Sequence, residues 1–348
     1  MSSRISRRQV LRAGTALGSV AAFGAHGKVT VAQSTPAATP PGTTAAPAGV
    51  QADGSWLFTD DLGNEIRLPS APRRIVAELS AAASLWDFGI RPVGVFGITT
   101  TQDGSPEIAA GQVDLDSVVN LGEGFDDFDL EQLVGLEPDL VITSLYGTLV
   151  WRINVDVIPQ IEAMAPIAGI NVSGIAAIDI IARYEQLAGA LGADLASDAT
   201  ATARATLEAS ARAVTAAAAA NPELSILYVT GADDTYYVGN AMAAGDLIYF
   251  RQLGVNIPQT AETTDYWESD SWEETNRYPT DVIQIDRRAA WLTYDQMLER
   301  PTFALLPAVA AGQIGTWDVE YVNSYQGFTP VLDRLAETIR TSDGSIVP

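Results

Sequence analysis

The segment Ala196–Ala220 constrains the fold more than any other. It runs for twenty-five residues without glycine or proline, more than half of them alanine, and stops at Asn221-Pro222. Such a run makes one helix of about 37 Å at 1.5 Å per residue, and proline cannot extend it. A helix of that length is either a strut between two bodies or a layer packed on one sheet. The flanking sequence favours the strut, because strands and helices alternate on both sides of it.

On the N-terminal side, Arg74–Leu79, Pro92–Gly97, Leu140–Thr143 and Ile167–Ile170 read as buried strands. Ala81–Gly89, Leu130–Leu136 and Val157–Met164 read as helices. On the C-terminal side, strands are expected at Leu224–Thr230, Val282–Ile285 and Gln313–Thr316, with helices at Ala244–Leu253, Phe303–Ala308 and Thr329–Arg340. Strands alternating with helices build parallel α/β sheets. The expected fold class is therefore α/β: two parallel-sheet lobes, residues 55–194 and 222–348, joined by one long helix at 195–221.

The first residues read as an export signal and take no part in the fold. Ser6-Arg7-Arg8-Gln9-Val10-Leu11 is a twin-arginine pattern, and a Gly/Ala-rich apolar stretch follows to Ala25. Small residues Thr30 and Ala32 suit cleavage, which sets the signal at residues 1–32. Residues 33–54 are rich in Pro, Thr and Ala and are expected to be a disordered spacer. The chain has no cysteine, so no lipid can be attached at the cleavage site. The expected location is the periplasm, the cell surface or the exterior.

Charge and absences narrow the chemistry. Five basic residues (Arg4, Arg7, Arg8, Arg12, Lys28) lie in the signal. The remaining chain carries 15 basic and 43 acidic residues, a net charge of about −28. That surface repels nucleic acid and anionic lipid. His26, in the signal, is the only histidine. Ser-His-Asp and Cys-His catalysis are thereby excluded, and so are zinc sites built on imidazole or thiolate. No enzyme, cofactor or metal site is expected.

The two halves echo each other. Asp129-Leu-Glu-Gln-Leu-Val-Gly-Leu-Glu-Pro-Asp139 precedes the strand Leu140–Thr143, and Ser271-Trp-Glu-Glu-Thr-Asn-Arg-Tyr-Pro-Thr-Asp281 precedes Val282–Ile285. Each opens with a capping residue followed three places later by Gln132 or Glu274, the pattern of a capping box. Each puts a glutamate, Glu131 or Glu273, at the second helical position and an aspartate eight residues further on. A glutamate there favours the helix dipole by about 0.3–1 kcal/mol wherever it occurs, so the matched placement in two halves is what marks the pair.

Phe58-Thr-Asp-Asp-Leu-Gly-Asn-Glu-Ile-Arg-Leu-Pro69, Pro72-Arg-Arg-Ile-Val76, Leu85–Gly97 and Leu130-Glu-Gln-Leu-Val-Gly-Leu-Glu-Pro-Asp-Leu-Val-Ile142 resemble class III substrate-binding proteins of ABC importers. These importers carry iron-siderophores, haem and cobalamin. The likeness runs from about Trp56 to the C-terminus and is dense to about residue 145. It implies two α/β lobes with the ligand in the cleft between them. It also implies a glutamate on each lobe that engages arginines of an ABC permease. Glu131 fits the first position by motif, and Glu273 fits the second by spacing, with Glu274 as the alternative.

Ligands of open α/β sheets lie beyond the carboxyl ends of strands. That rule selects Ser80, Thr99–Thr101, Tyr146 with Trp151 and Arg152, then Tyr236, Tyr237, Arg287, Arg288, Trp317 and Tyr321. Aromatic rings suit a broad chelate face, and arginine pairs bidentately with catecholate or carboxylate oxygens. The expected protein is a monomeric extracytoplasmic solute-binding protein that captures a ferric siderophore or related metal chelate and delivers it to a permease. Haem and cobalamin are alternative ligands. A secreted hydrolase using Glu131 and Glu273 as acid and base, or a surface adhesion protein, is the rival from another class.

Overall fold

The structure, a computed structural model, describes residues 48–101, 104–260, 265–288 and 291–347. The expected signal and residues 33–47 of the expected spacer lie outside the described residues. The end of that spacer belongs to the fold, contrary to its composition: Gly49–Val50 forms strand β1 and pairs with Trp56 and Leu57. Gly49 has φ +105, a backbone conformation that L side chains rarely adopt, so the position needs glycine.

A three-stranded antiparallel sheet opens the chain: β1, β2 (Trp56–Thr59) and β3 (Glu65–Leu68). Asp60 sets the β2–β3 turn by accepting the backbone N–H groups of Leu62 (3.0 Å) and Asn64 (2.8 Å). Trp56, fully buried, donates from Nε1 to Ala190 O at 2.7 Å and so fixes this sheet to the first lobe.

The first lobe comprises β4 (Ile75–Glu78), α1 (Leu79–Asp87), β5 (Gly94–Phe96), β6 (Val119–Asn120), α2 (Leu130–Leu136), β7 (Leu140–Tyr146), β8 (Leu149–Val150), α3 (Ile158–Glu162), β9 (Ile167–Asn171) and α4 (Ala177–Ala190). Its sheet runs β6-β5-β4-β7, with β9 parallel to β7 and β8 folded back on β7 as a short antiparallel hairpin. The central strands are buried on both faces, which is why they read as unbroken apolar runs.

Helix α5 (Asp198–Ala220) follows. Its buried residues Leu207, Ser210, Ala211, Val214, Ala217 and Ala218 fall on one stripe. That stripe packs along the last helix, α10, so α5 is a packed layer as well as a connection.

The second lobe holds β10 (Ile226–Gly231), β11 (Tyr236–Gly239), α6 (Gly245–Gln252), β12 (Trp267–Asp270), a 3-10 turn (Trp272–Arg277), β13 (Val282–Asp286), α7 (Tyr294–Leu298), α8 (Pro301–Ala304), α9 (Pro307–Ala310), β14 (Ile314–Trp317) and α10 (Tyr325–Thr341). The order is β12-β11-β10-β13-β14. Only β10, β13 and β14 are parallel; β11 and β12 add an antiparallel edge that the sequence pattern did not suggest. Three of residues 267–270 (WESD) are polar, and the two buried ones, Glu268 and Asp270, are both paired with Arg277 at 2.7 Å.

The two lobes share one core. A continuous cluster runs from Trp56 and α1 through α4, α5 and α10 to Tyr228 and Trp317, while separate clusters fill the outer face of each sheet. Direct links across the junction are a β-bridge between Ser173 and Ala244, Gly174 N–H to Ala243 O (2.8 Å), Asn323 N–H to Ser84 Oγ (2.9 Å) and Ser324 Oγ to Asp87 (2.5 Å).

Candidate ligand-binding site

The carboxyl ends of β4 and β7 face the loops after β11 and β14, and a narrow cavity of about 20 Å³ lies between them. The first lobe contributes Ser80, Ser144, Tyr146, Trp151 and Val172 to its wall. The second contributes Gly245, Tyr266, Glu320, Tyr321 and Asn323, among others. The volume leaves room for about one water, well below the roughly 300–1,000 Å³ of small-molecule sites, so the lobes stand closed on each other and must part to admit a chelate.

Aromatic rings form one side. Tyr146 stands 4.8 Å from Trp151 and 5.9 Å from Tyr266 between ring centroids. The hydroxyls of Tyr146, Tyr266 and Tyr321 make no hydrogen bond among the described residues. Burial pushes each phenol well above its ordinary pKa, so these are neutral groups.

An ionic chain lies beneath as a floor, and Glu320 is its one member on the cavity wall. Glu320 Oε1 accepts from Arg288 Nη1 at 2.9 Å and lies 3.6 Å from Arg152 Nη2 in the other lobe. Arg288 also holds Asp286, through Nε at 3.0 Å and Nη2 at 2.7 Å. Burial works against ionised Glu320, but the Arg152 and Arg288 guanidiniums outweigh it and hold the carboxyl below its usual range. Arg152 adopts a left-handed backbone at φ +61 and lies 5.0 Å from the Trp151 ring centroid.

Behind this floor, Glu78 caps α1 and accepts from Ser80 Oγ at 2.5 Å and Ser144 Oγ at 3.4 Å. Burial raises its carboxyl above the usual range, and the nearby Glu320 charge adds to this.

Of the residues chosen from strand ends, Tyr146 and Tyr321 line the cavity, while Arg152 and Arg288 reach it only through Glu320. Ser80 and Trp151 line it as well. The others are placed elsewhere. Tyr236 and Tyr237 are neighbours on β11, and successive strand residues face opposite ways. Tyr236 packs on Trp272 and Phe303 in the outer core; Tyr237 packs on Trp267 and Trp291. Trp317 is buried and donates from Nε1 to Asp246 at 2.6 Å. Arg287 pairs with Asp318 at 2.5 Å, away from the cavity wall. Thr99 bonds to Glu123 and Asn120 instead.

Glu320, Tyr266, Ser144 and Asn323 were not selected from sequence. Glu320 lies between the chosen Trp317 and Tyr321, yet in so acidic a chain a single glutamate carries no signal. Tyr266 precedes β12, a strand that the sequence pattern did not suggest.

The echoed segments differ in their helices and agree at their ends. Asp129 caps α2 by accepting Gln132 N–H at 2.9 Å, but Gln132 returns to the Asp129 carboxylate, so the reciprocal capping box does not form. Ser271 makes no side-chain cap, and its segment is a 3-10 turn. Asp139 accepts the N–H of Arg74 (2.9 Å) at the start of β4, and Asp281 accepts the N–H of Ser225 (2.8 Å) just before β10. Both aspartates therefore pin a parallel neighbour strand. Glu131 and Glu273 are exposed and make no ion pair among the described residues, whereas Glu274 is tied to Arg277 at 3.0 Å.

Two α/β lobes that share a polar and aromatic cavity define a solute-binding protein. Residues 76–321 match the family described as periplasmic binding protein, and the chain belongs to that family. It is similar to DesE, a ferric-siderophore receptor protein from Streptomyces coelicolor, with 36% identity, a TM-score of 0.78, and coverage of 83% of this chain and 99% of that one. It is also similar to the siderophore periplasmic binding protein from the fuscachelin gene cluster of Thermobifida fusca (22% identity, 78% and 98% covered, TM-score 0.58). The petrobactin-binding protein YclQ of Bacillus subtilis is a further structural relative (16%, 82% and 99%, TM-score 0.64). These last two show the shared fold alone. No curated protein sequence matches the chain.

Proposed function

We propose that this chain is an exported, non-enzymatic binding protein that captures a ferric siderophore and hands it to an ABC permease. The observation that carries this reading is the 36% identity to a ferric-siderophore receptor over 99% of that receptor's length. The cavity supports it, since Tyr146, Trp151, Tyr266 and Tyr321 offer ring faces and hydroxyls to a chelate. Within this proposal residues 195–221 link the lobes, Glu131 and Glu273 are the permease contacts, and the twin-arginine segment directs export of a monomer. Glu273 takes precedence over Glu274 because it is not engaged in a salt bridge.

The test is a thermal-shift screen of the chain without residues 1–32 against ferric siderophores, haem and cobalamin. A ligand at 100 times its dissociation constant stabilises the fold by about 2.7 kcal/mol. A shift with a ferric siderophore is expected. A shift with haem or cobalamin alone overturns the ligand assignment, and turnover of a glycoside that is lost in Glu131→Gln overturns the binding-protein reading itself.

A further inference from the structure

We propose that Glu320 sets the charge of the ligand, so that the cleft takes neutral or positively charged ferric chelates and turns away polyanionic ones. The inference rests on the siderophore-binding reading and specifies its chemistry. It replaces the sequence-based expectation that arginines of the cleft grip catecholate or carboxylate oxygens.

The two guanidiniums behind Glu320 are already engaged. Arg288 is held by Asp286 and Glu320, and Arg152 faces Glu320 at 3.6 Å. Two further acids, Glu78 and Glu107, and the Tyr146 phenol lie within the field of Glu320. Two cations thus face two paired carboxylates, and no guanidinium at the floor lacks a carboxylate partner. A triply anionic chelate entering here meets Glu320 before any unpaired positive charge. Displacing Glu320 from Arg288 would leave a carboxylate without its partner in a closed space.

The open valences at the wall point the same way. Glu320 uses Oε1 for both arginines, and its Oε2 accepts no hydrogen bond among the described residues. Asn323 is buried, lines the cavity, and has an Oδ1 with no hydrogen-bond partner. Both atoms accept hydrogen bonds, so they call for a ligand that donates, such as an ammonium, an amide N–H or a hydroxyl. The neighbouring Tyr146, Tyr266 and Tyr321 hydroxyls serve chelate oxygens without adding charge. Hydroxamate chelates of iron with pendant amide or amine groups have this chemistry; tris-catecholates, with dense negative charge around the metal, do not.

The experiment measures binding by tryptophan-fluorescence quenching at constant ionic strength. It uses three ferric complexes: an uncharged tris-hydroxamate, a tris-hydroxamate with a free ammonium, and a triply anionic tris-catecholate. The wild-type protein is expected to bind the first two at least about tenfold tighter than the third. Glu320→Gln should narrow that gap by about tenfold or more, and Glu320→Asp should keep it. If no complex binds, the siderophore reading itself fails. If the complexes bind but the wild-type protein prefers the triple anion, or Glu320→Gln leaves the ratio unchanged, the role of Glu320 is refuted. The wild-type comparison alone can refute the proposal even if Glu320→Gln does not fold, and Glu320→Asp then carries the residue-specific test.

Discussion

Arg288 reaches two carboxylates with one guanidinium: Asp286 on its own strand end at 2.7 Å, and Glu320 beyond β14 at 2.9 Å. The Asp286 side chain has no solvent exposure. Arg288→Ala is therefore expected to cost about 3–5 kcal/mol, the usual effect of leaving a buried charge without its partner. Arg288→Lys keeps the charge but not the fork and should recover only part of it. Urea unfolding of the two variants checks this, and a loss below 1 kcal/mol for the alanine variant would refute it.

Gly245 lies where the lobes meet and begins α6. Alanine is normally better in a helix by about 1 kcal/mol. Here an added Cβ would sit 2.7 Å from Ile180 Cδ1, 3.0 Å from Ile175 O and 3.1 Å from the Tyr321 hydroxyl. The isoleucine tip can yield; the carbonyl of the opposite lobe cannot without moving the junction. Gly245→Ala should lower stability by about 1–3 kcal/mol and weaken chelate binding, because Gly245 and Tyr321 both line the cavity. A variant as stable as wild type, with unchanged affinity, contradicts the packing described.

Asp246 supplies a pH dependence. It is fully buried, and burial pushes its carboxyl up to about 7 despite hydrogen bonds from Trp317 Nε1 and the Leu247 N–H. An unfolded aspartate titrates near about 3.9. Between about pH 4 and 7 the folded state keeps a proton that the unfolded state has released. Asp246 therefore makes stability fall as pH rises through that window. Asp246→Asn should flatten this part of the curve, whatever its effect on absolute stability. Denaturation series at half-unit steps from pH 4 to 8 give the two slopes, and identical slopes would show that Asp246 ionises normally.

Glu131 and Glu273, the proposed permease contacts, are both exposed and outside any ion pair among the described residues. Glu131→Ala and Glu273→Ala should each leave stability within about 0.5 kcal/mol and chelate affinity unchanged, while uptake through the cognate permease falls. Binding to the folded variant measured beside transport separates these outcomes. Loss of chelate affinity in either variant would place that residue in the binding site instead.

The α/β alternation was legible because parallel strands buried on both faces leave unbroken apolar runs, such as Leu140–Thr143. The helix α2 was legible to the residue, since Asp129 caps it and Glu137 leaves it at φ +43. Strand β12 was not, because an edge strand of Trp-Glu-Ser-Asp composition resembles a loop. In the site, the strand-end rule located Tyr146 and Tyr321 but could not say which way a side chain points, and so it chose both Tyr236 and Tyr237. The ionic floor was hidden for another reason. Arg152 and Glu320 are 168 positions apart in the chain, and pairing at that separation is a property of the tertiary fold.

The unbroken core described above also determines how the molecule comes apart. Trp56 in the opening sheet, Leu207 of α5 and Trp317 of the second lobe bury their apolar surface in one cluster. Neither lobe can lose its packing without exposing that of the other. Despite two separate sheets, the protein should behave as a single cooperative unit, with calorimetric and van't Hoff enthalpies in agreement.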